Sequence, residues 1–145
     1  MAQTYRLTRP RRLINVVIKR LIRLGLWGRH TYLLTVPGRK TGRLHSTPVT
    51  LVEEGGRWLV APYGEVGWVR NARVSGHVTL TRGRRSEIVQ IVQVDPAEAA
   101  PVLREYIRRV AITRPFFDAG SDAPLETFEI EAARHPVFRI VGSDD

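Results

Sequence analysis

Residues 38–42, Gly38-Arg39-Lys40-Thr41-Gly42, carry more chemistry than a turn requires. The two glycines allow a tight turn between strand-like segments, and the three residues between them supply two cations and a hydroxyl group. A guanidinium donates a forked pair of hydrogen bonds, an ammonium adds a point charge, and turn N–H groups can converge on one anion. The segment therefore indicates an anion-binding turn, with a solvated basic hairpin as the alternative.

This turn does not match the phosphate-binding loop of NTPases. That loop has a glycine directly before its lysine, and here Arg39 holds that place. A nucleotide triphosphate is therefore not the predicted ligand.

The other residues that could do chemistry are scattered. The four histidines, His30, His45, His77 and His135, lack the spacing of metal ligands, and the chain has no cysteine. We therefore expect no metal site. Asn71 stands out because asparagine has no propensity reason to lie inside a predicted helix. The carboxylates near turns, Glu53, Glu54 and Glu65, are expected to be solvated.

Positive charge is concentrated in the first third of the chain. The net charge is +9, yet residues 1–52 carry nine arginines and two lysines without one acidic residue. The remaining twelve arginines are outnumbered by fourteen acids. Such asymmetry favours a polyanionic partner, which could be nucleic acid, anionic lipid or a phosphorylated cofactor.

Length and composition predict one domain, residues 1–145, with an ordinary hydrophobic core. No uninterrupted apolar run reaches the length of a transmembrane helix, and the N-terminus lacks the features of a signal peptide. Together with the absence of cysteine, these features favour a cytoplasmic protein.

Residues 10–27 have the periodicity of an amphipathic helix. Leu13, Val17, Leu21 and Leu24 follow helical spacing, while the opposite face is purely basic. The helix could pack on the domain, or it could lie in an anionic membrane interface as a peripheral contact.

The rest of the chain is mostly strand-like. Strands are predicted by period-two alternation and turn signals, and helices by glycine boundaries and an Asp95-Pro96 start. The predicted strands are 31–36, 44–53, 57–63, 77–82, 85–94 and 136–141, with helices at 64–76 and 96–109 and a loop at 113–124. This order predicts a mainly β (α+β) fold, a six-stranded antiparallel barrel over 29–145 with flanking helices, preceded by the helical segment 1–28.

Several motifs in order resemble the deazaflavin-dependent nitroreductase family, which includes quinone-reducing members. The matching residues are Gly38-Arg39-Lys40-Thr41-Gly42, Pro48, Gly55-Gly56, Val60-Ala61, Trp68-x-x-Asn71 and Ser75-Gly76-His77-Val78. The resemblance covers residues 31–94 well, and it extends loosely to the N-terminal helix and the last strand.

The resemblance implies a split β-barrel that binds the 5-deazaflavin coenzyme F420, whose tail carries a phosphate and a glutamate chain. Arg39, Lys40 and Thr41 would hold the phosphate and the neighbouring tail. The other positions that it places against the cofactor are His45, Ser46, Thr47, Pro48, Val49, Thr50, Ala61, Pro62, Tyr63, Gly64, Gly67, Trp68, Val69, Arg70 and Asn71. Three of these assignments have alternatives. Trp68 could instead anchor the core, and His45 could be a solvent-facing strand residue. Arg70 and Arg73 could simply form a solvent-exposed helix face.

The implied reaction transfers hydride from the reduced coenzyme to an apolar, electron-poor acceptor, such as a quinone, an enone or a nitro compound. Family members that reduce bicyclic nitro compounds have tyrosines where this chain has Phe116 and Phe117, which cannot donate a proton. We expect these two rings to line an open acceptor pocket, and Tyr63 and Tyr106 are the remaining phenols that could reach a substrate. A homodimer is a further expectation, since related barrels often pair.

Three other functions are compatible with the residues. Related split barrels bind flavin mononucleotide (FMN), and a non-catalytic coenzyme carrier would need the same binding residues. A nucleic-acid-binding module would explain the charge, but the chain shows no helix-turn-helix or aromatic RNA-binding motif. We therefore expect no nucleic-acid partner.

Overall fold

The computed structural model describes residues 30–143. The helix predicted at 10–27, and the membrane contact assigned to it, lie outside the described residues. Within the described range no helix is both long and apolar enough to cross a membrane.

Six antiparallel strands form a closed barrel, which confirms the predicted fold. They are β1 (Thr31–Pro37), β2 (Leu44–Val52), β3 (Trp58–Val60), β4 (His77–Arg82), β5 (Arg85–Gln93) and β6 (Val137–Ser143), and neighbours run in the order β1-β2-β3-β6-β5-β4. Closure leaves no unpaired sheet edge among them.

The third strand is shorter than the predicted 57–63. The Ala61 amide still donates to the Pro136 carbonyl at 2.9 Å, but Pro62 follows and has no N–H to extend the ladder. The chain then turns through Gly64, whose φ of 83° lies in the left-handed region.

Two helices have one boundary each at the residue that the sequence marks for it, although the helix predicted at 64–76 begins later, at Gly67. Helix α1 (Gly67–Ser75) ends at Gly76, which has a φ of 73° and donates its N–H to the Ala72 carbonyl. Helix α2 (Pro96–Arg109) begins after Asp95, whose side chain accepts a 2.8 Å hydrogen bond from the Glu98 amide.

The predicted loop at 113–124 is wrong in part. A 3₁₀ helix covers Ala111–Phe116, and a further helix, α3 (Leu125–Glu131), follows the loop and has no counterpart in the prediction. Both are short, and helices of this length depend on tertiary packing rather than on propensity. That packing is supplied by α2, against which α3 lies.

The protein has two apolar cores. One fills the barrel, and the other lies between its outer surface and the helices, where Leu103, Ile107 and Phe128 meet Val60 and Val137.

Phe116, Phe117 and Tyr106 belong to the second core and are 8%, 6% and 4% exposed. The predicted open pocket lined by the two phenylalanines is therefore wrong, because tertiary packing buries rings that the sequence placed in a loop.

The two ends of the barrel carry different loops. At one, which we call the loop end, lie the 38–43 turn, segment 61–66 and α1. At the other, the hairpin end, β1 begins and the β4–β5 hairpin turns, since Leu33 pairs with Thr81 and Arg82 with Arg85.

Candidate functional site

The basic turn at the loop end is closed by its own backbone. The Gly38 amide donates to the Arg43 carbonyl at 2.7 Å, and the Gly42 amide donates to the Gly38 carbonyl at 2.9 Å. Gly42 has a φ of 75°, which favours glycine, and Thr41 Oγ1 accepts the Arg43 amide at 3.2 Å. The turn is therefore held without help from a ligand.

Asn71 ties this turn to α1. Its side chain is 7% exposed, and its Oδ1 accepts hydrogen bonds from the Arg39 amide at 3.0 Å and from Arg39 Nη1 at 2.8 Å. A buried amide oxygen needs such partners, which explains an asparagine inside a helix. Its role here is to orient Arg39.

His45 lies against the turn from β2. A Cβ atom added to Gly38 would come within 3.0 Å of His45 Nε2 and 3.3 Å of Thr41 Oγ1. Only glycine therefore lets these two side chains approach the backbone at this point.

The cations of the turn are not neutralised by nearby acids. Arg39, Lys40 and Arg43 are exposed, and none of the three forms an ion pair with a residue in the range 30–143. Arg43 was not among the predicted site residues, although its position directly after Gly42 is a signal that could have identified it. This arrangement favours an anionic ligand.

The acidic residue nearest to α1 in the chain already has a partner. Glu65 accepts two hydrogen bonds from Arg73, at 2.7 and 2.8 Å, and this contact lowers the pKa of the carboxyl group. Arg73 also donates to Gln93. Arg73 is therefore already paired at the surface, and Glu65 is exposed, as expected, while it forms this ion pair. Glu53 likewise accepts from His30 and Tyr32.

The β2 candidates divide between two faces because side chains alternate along a strand. Val49 lies in the barrel core, so Thr47 points the same way, whereas Ser46 bonds Thr35 at 2.8 Å on the other face. Pro48 and Thr50 share the face of Ser46. One ligand can meet only one of these sets through side chains, and Thr50, opposite Thr31, lies toward the hairpin end.

Segment 61–64 lies at the loop end and leads into α1. Ala61 and Pro62 are buried, while Tyr63 is half-buried with its ring edge against Phe116, the ring centroids 4.9 Å apart. A Cβ atom on Gly64 would lie 3.1 Å from the Arg134 carbonyl. This segment is therefore packed against residues 134–136.

The first two turns of α1 combine buried and exposed candidates. Gly67 and Arg70 are exposed, and the helix begins without a side-chain cap. Trp68 is partly buried and packs on the barrel core near Phe138, with ring centroids 6.4 Å apart, so its core-anchor interpretation is supported. Val69 is fully buried.

The structure thus brings together Arg39, Thr41, His45 and Asn71 through contacts around one turn. It places 61–64 and 67–71 at the same end of the barrel. Ala61 and Val69 present no surface to a ligand, and Thr50 lies away from the turn.

Replacing Asn71 by alanine is expected to loosen the basic turn. The substitution removes the shared acceptor of two Arg39 hydrogen bonds, and we expect unfolding free energy to fall by about 1–3 kcal/mol. Amide hydrogen exchange at Arg39 should accelerate. Asn71→Asp keeps the acceptor and serves as the control, so similarly fast exchange in both variants would contradict this role.

A buried polar network supports the segment next to Pro62. Glu131 is 2% exposed, and its Oε1 accepts hydrogen bonds from the Asp118 and Ala119 amides at 2.8 and 2.9 Å. Its Oε2 accepts from Arg134 and lies 3.3 Å from Nε2 of His135. The His135 ring stacks on Phe117 at 3.9 Å.

Stability is expected to fall in mildly acidic solution because of His135. Burial lowers the pKa of this imidazole, although the Glu131 carboxylate opposes the shift. The unfolded histidine titrates near about 6.5, so below that pH the unfolded chain binds a proton that the folded chain resists, and stability decreases. Urea titrations at neutral and acidic pH should show a larger loss for the wild type than for His135→Phe, which keeps a ring; equal losses would contradict the assignment.

Comparison with known proteins gives one family. A model of the F420H(2)-dependent quinone reductase family matches residues 13–125. No curated protein matches the sequence at a significant level.

Solved structures share the fold at low sequence identity. The protein Atu2129 from Agrobacterium tumefaciens, of unknown function, has a TM-score of 0.58 and 13% identity, and the match covers 99% of this chain but 60% of that one. HutZ, the heme storage protein from Vibrio cholerae, has a TM-score of 0.56 and 14% identity, with 90% of each chain covered. General Stress Protein 26 from Bacillus anthracis has a TM-score of 0.53 and 12% identity, covering 88% of this chain and 89% of its own.

Proposed function

Because the chain belongs to the F420H(2)-dependent quinone reductase family, we propose that it binds reduced coenzyme F420 at the loop end and reduces an apolar, electron-poor acceptor. A quinone is the leading acceptor class, and enones and nitro compounds have the same electron-poor character.

The observation that carries this proposal is the basic turn fixed by Asn71. The coenzyme tail is a polyanion, and the turn presents Arg39, Lys40 and Arg43 to solvent with no carboxylate bound to them in residues 30–143. Charge-assisted hydrogen bonds to phosphate are among the strongest in proteins. A turn that is already ordered also loses little entropy on binding. The residues present therefore fit the tail.

The side chains of the turn would make different kinds of contact with the coenzyme tail. Arg39 would hold phosphate oxygens in a direction set by Asn71, and Lys40 would add charge. The Thr41 hydroxyl, which accepts the Arg43 amide, keeps its proton available to donate. The exposed Gly67 and Arg70 would face the same ligand from α1.

The coenzyme supplies the hydride when bound, so the protein's task is to bind, orient and shield. Tyr106 is not a proton donor for the acceptor, because its side chain is buried and burial raises its pKa. Tyr63 is half-buried, with its ring held against Phe116.

Binding and turnover test the function separately. Titrating the purified protein with reduced and oxidised F420 should quench tryptophan fluorescence saturably, and soluble quinones should oxidise the reduced coenzyme in its presence. Binding without turnover on any quinone, enone or nitro compound would instead identify a carrier. A yellow protein with a flavin spectrum, or no coenzyme binding, would overturn the proposal.

A further inference from the structure

His45 differs from the other histidines in having a ring without a polar partner. The other three each lie beside one, a carboxylate for His30 and His135 and a backbone carbonyl for His77. No hydrogen bond or ion pair joins the His45 ring to any residue in the range 30–143. The side chain is also exposed, so both a proton from solvent and a ligand can reach it.

The His45 ring stands beside the basic turn. Its backbone position is fixed on β2, where it pairs with Val36, a residue of the barrel core. A Cβ atom added to Gly38 would lie 3.0 Å from His45 Nε2 and 3.3 Å from Thr41 Oγ1, so both atoms are close to one point of the turn. An oxyanion bound by the Thr41 hydroxyl therefore lies within reach of the imidazole.

The surroundings of this ring supply positive charge and no free carboxylate. The titratable or charged side chains of the elements around the turn are Arg39, Lys40 and Arg43 in the turn, Tyr63 and Glu65 in segment 61–66, Arg70 and Arg73 in α1, and His77 in β4. Arg73 already binds Glu65 at 2.7 Å, and residues 30–52 contain no acid. A counter-ion for a charged His45 ring is therefore left to a bound anion.

An imidazole at this place has a property that the arginines and the lysine of the turn lack, because it gains and loses a proton near neutral pH. Unperturbed histidine titrates near about pH 6.5. A nearby negative charge favours its protonated form, which donates hydrogen bonds from both ring nitrogens. Anion binding at the turn and proton binding at the ring therefore favour one another, and this coupling is reciprocal.

We propose that His45 couples anion binding at the basic turn to the uptake of a proton. When the coenzyme tail binds, the ring takes a proton from solvent, and its Nε2–H donates to an oxyanion. Because the bound state holds more protons than the free state, affinity is highest in mildly acidic solution and falls as the pH rises. The identity of the anion rests on the proposed function, but the coupling does not, since any oxyanion at the turn draws the same proton.

Sulfate tests the coupling without the coenzyme, because sulfate keeps its charge throughout the histidine range. The carbon-bound ring protons of the histidines are followed by NMR in the full-length protein, with sulfate or with chloride at equal ionic strength. We expect saturating sulfate to move the titration midpoint of His45 to higher pH by about one pH unit. The midpoint of His30, at the hairpin end, should stay where it is.

Coenzyme F420 provides the second measurement. A midpoint change of that size corresponds to about five-fold tighter binding at about pH 6 than at about pH 8. Calorimetry in two buffers with different heats of ionisation should also show proton uptake.

The variants separate the charge of His45 from its mere presence. His45→Asn, which stays polar but cannot titrate, should bind F420 with the weaker affinity at both pH values. His45→Arg, which is permanently charged, should bind tightly at both. His30→Asn removes a histidine far from the turn and should keep the pH dependence of the wild type. Ionisation of the coenzyme itself is common to all four proteins and cancels in the comparison.

Equal pH dependence of F420 binding in the wild type and in His45→Asn would overturn the coupling, and so would a His45 midpoint that sulfate leaves in place. Loss of the pH dependence in His30→Asn would also count against it. In each case the proposed function stands as long as F420 binds. A sulfate-sensitive His45 midpoint without any F420 binding would uphold the coupling and refute the proposed function instead.

Discussion

Replacing Arg39 and Lys40 together by alanine should weaken binding of coenzyme F420 by about 100-fold or more. Each charge-assisted hydrogen bond is worth about 1.5–3 kcal/mol, so the loss of two gives about 3 kcal/mol or more. The turn itself should survive, because the backbone amide at position 39 still donates to Asn71 and the Gly38 and Gly42 hydrogen bonds remain. Fluorescence titration of both proteins with the reduced coenzyme measures the change.

The matched control removes the same charge from a different surface. Arg104→Ala with Arg108→Ala lowers the net charge equally on α2, so long-range attraction decreases by a similar amount while the turn is intact. We expect that variant to bind the coenzyme within a few-fold of the wild type. If the two double variants lose affinity equally, general charge rather than the turn holds the coenzyme; if neither loses affinity, the anion assignment is wrong.

Replacing Glu131 by alanine should destabilise the fold by about 3–5 kcal/mol, as expected when one partner of a buried charged network is removed. The carboxylate is 2% exposed and is the common acceptor for the Asp118 and Ala119 amides and for Arg134. Without it, two backbone donors in the connection to α3 lose their partner. Urea unfolding followed by circular dichroism measures the free-energy change.

Glu129 provides the control on the same helix. Its side chain is exposed, so Glu129→Ala should change unfolding free energy by about 0.5 kcal/mol or less. Glu131→Gln should fall between the two, since it keeps an acceptor oxygen but not the charge. A Glu131→Ala protein as stable as Glu129→Ala would show that the network does not hold the connection.

The barrel could be predicted because its signals are local. Alternation of apolar residues, the Gly55-Gly56 and Gly83 turns, and the Asp95-Pro96 helix start are read from neighbouring residues, and each is found in the structure. The anion chemistry of residues 38–42 stays a prediction of the same local kind, because residue type alone sets what a guanidinium or an ammonium can bind.

What the sequence could not give was the set of long-range contacts. Nothing near Phe116 and Phe117 in the chain shows that they are buried, since their partners come from segments at 60–63 and 128–137. Helix α3 was missed because seven residues form a helix only where tertiary packing stabilises it.

The difference between what the sequence and the tertiary structure decide is clearest for Asn71 and Arg39. The sequence determined a barrel and a basic turn, together with an unexplained helical asparagine 32 residues away from Arg39. Only the tertiary structure decided that the Asn71 side chain accepts hydrogen bonds from Arg39 and so orients it. Residue type fixes which chemistry is available, whereas packing of distant segments decides which groups meet.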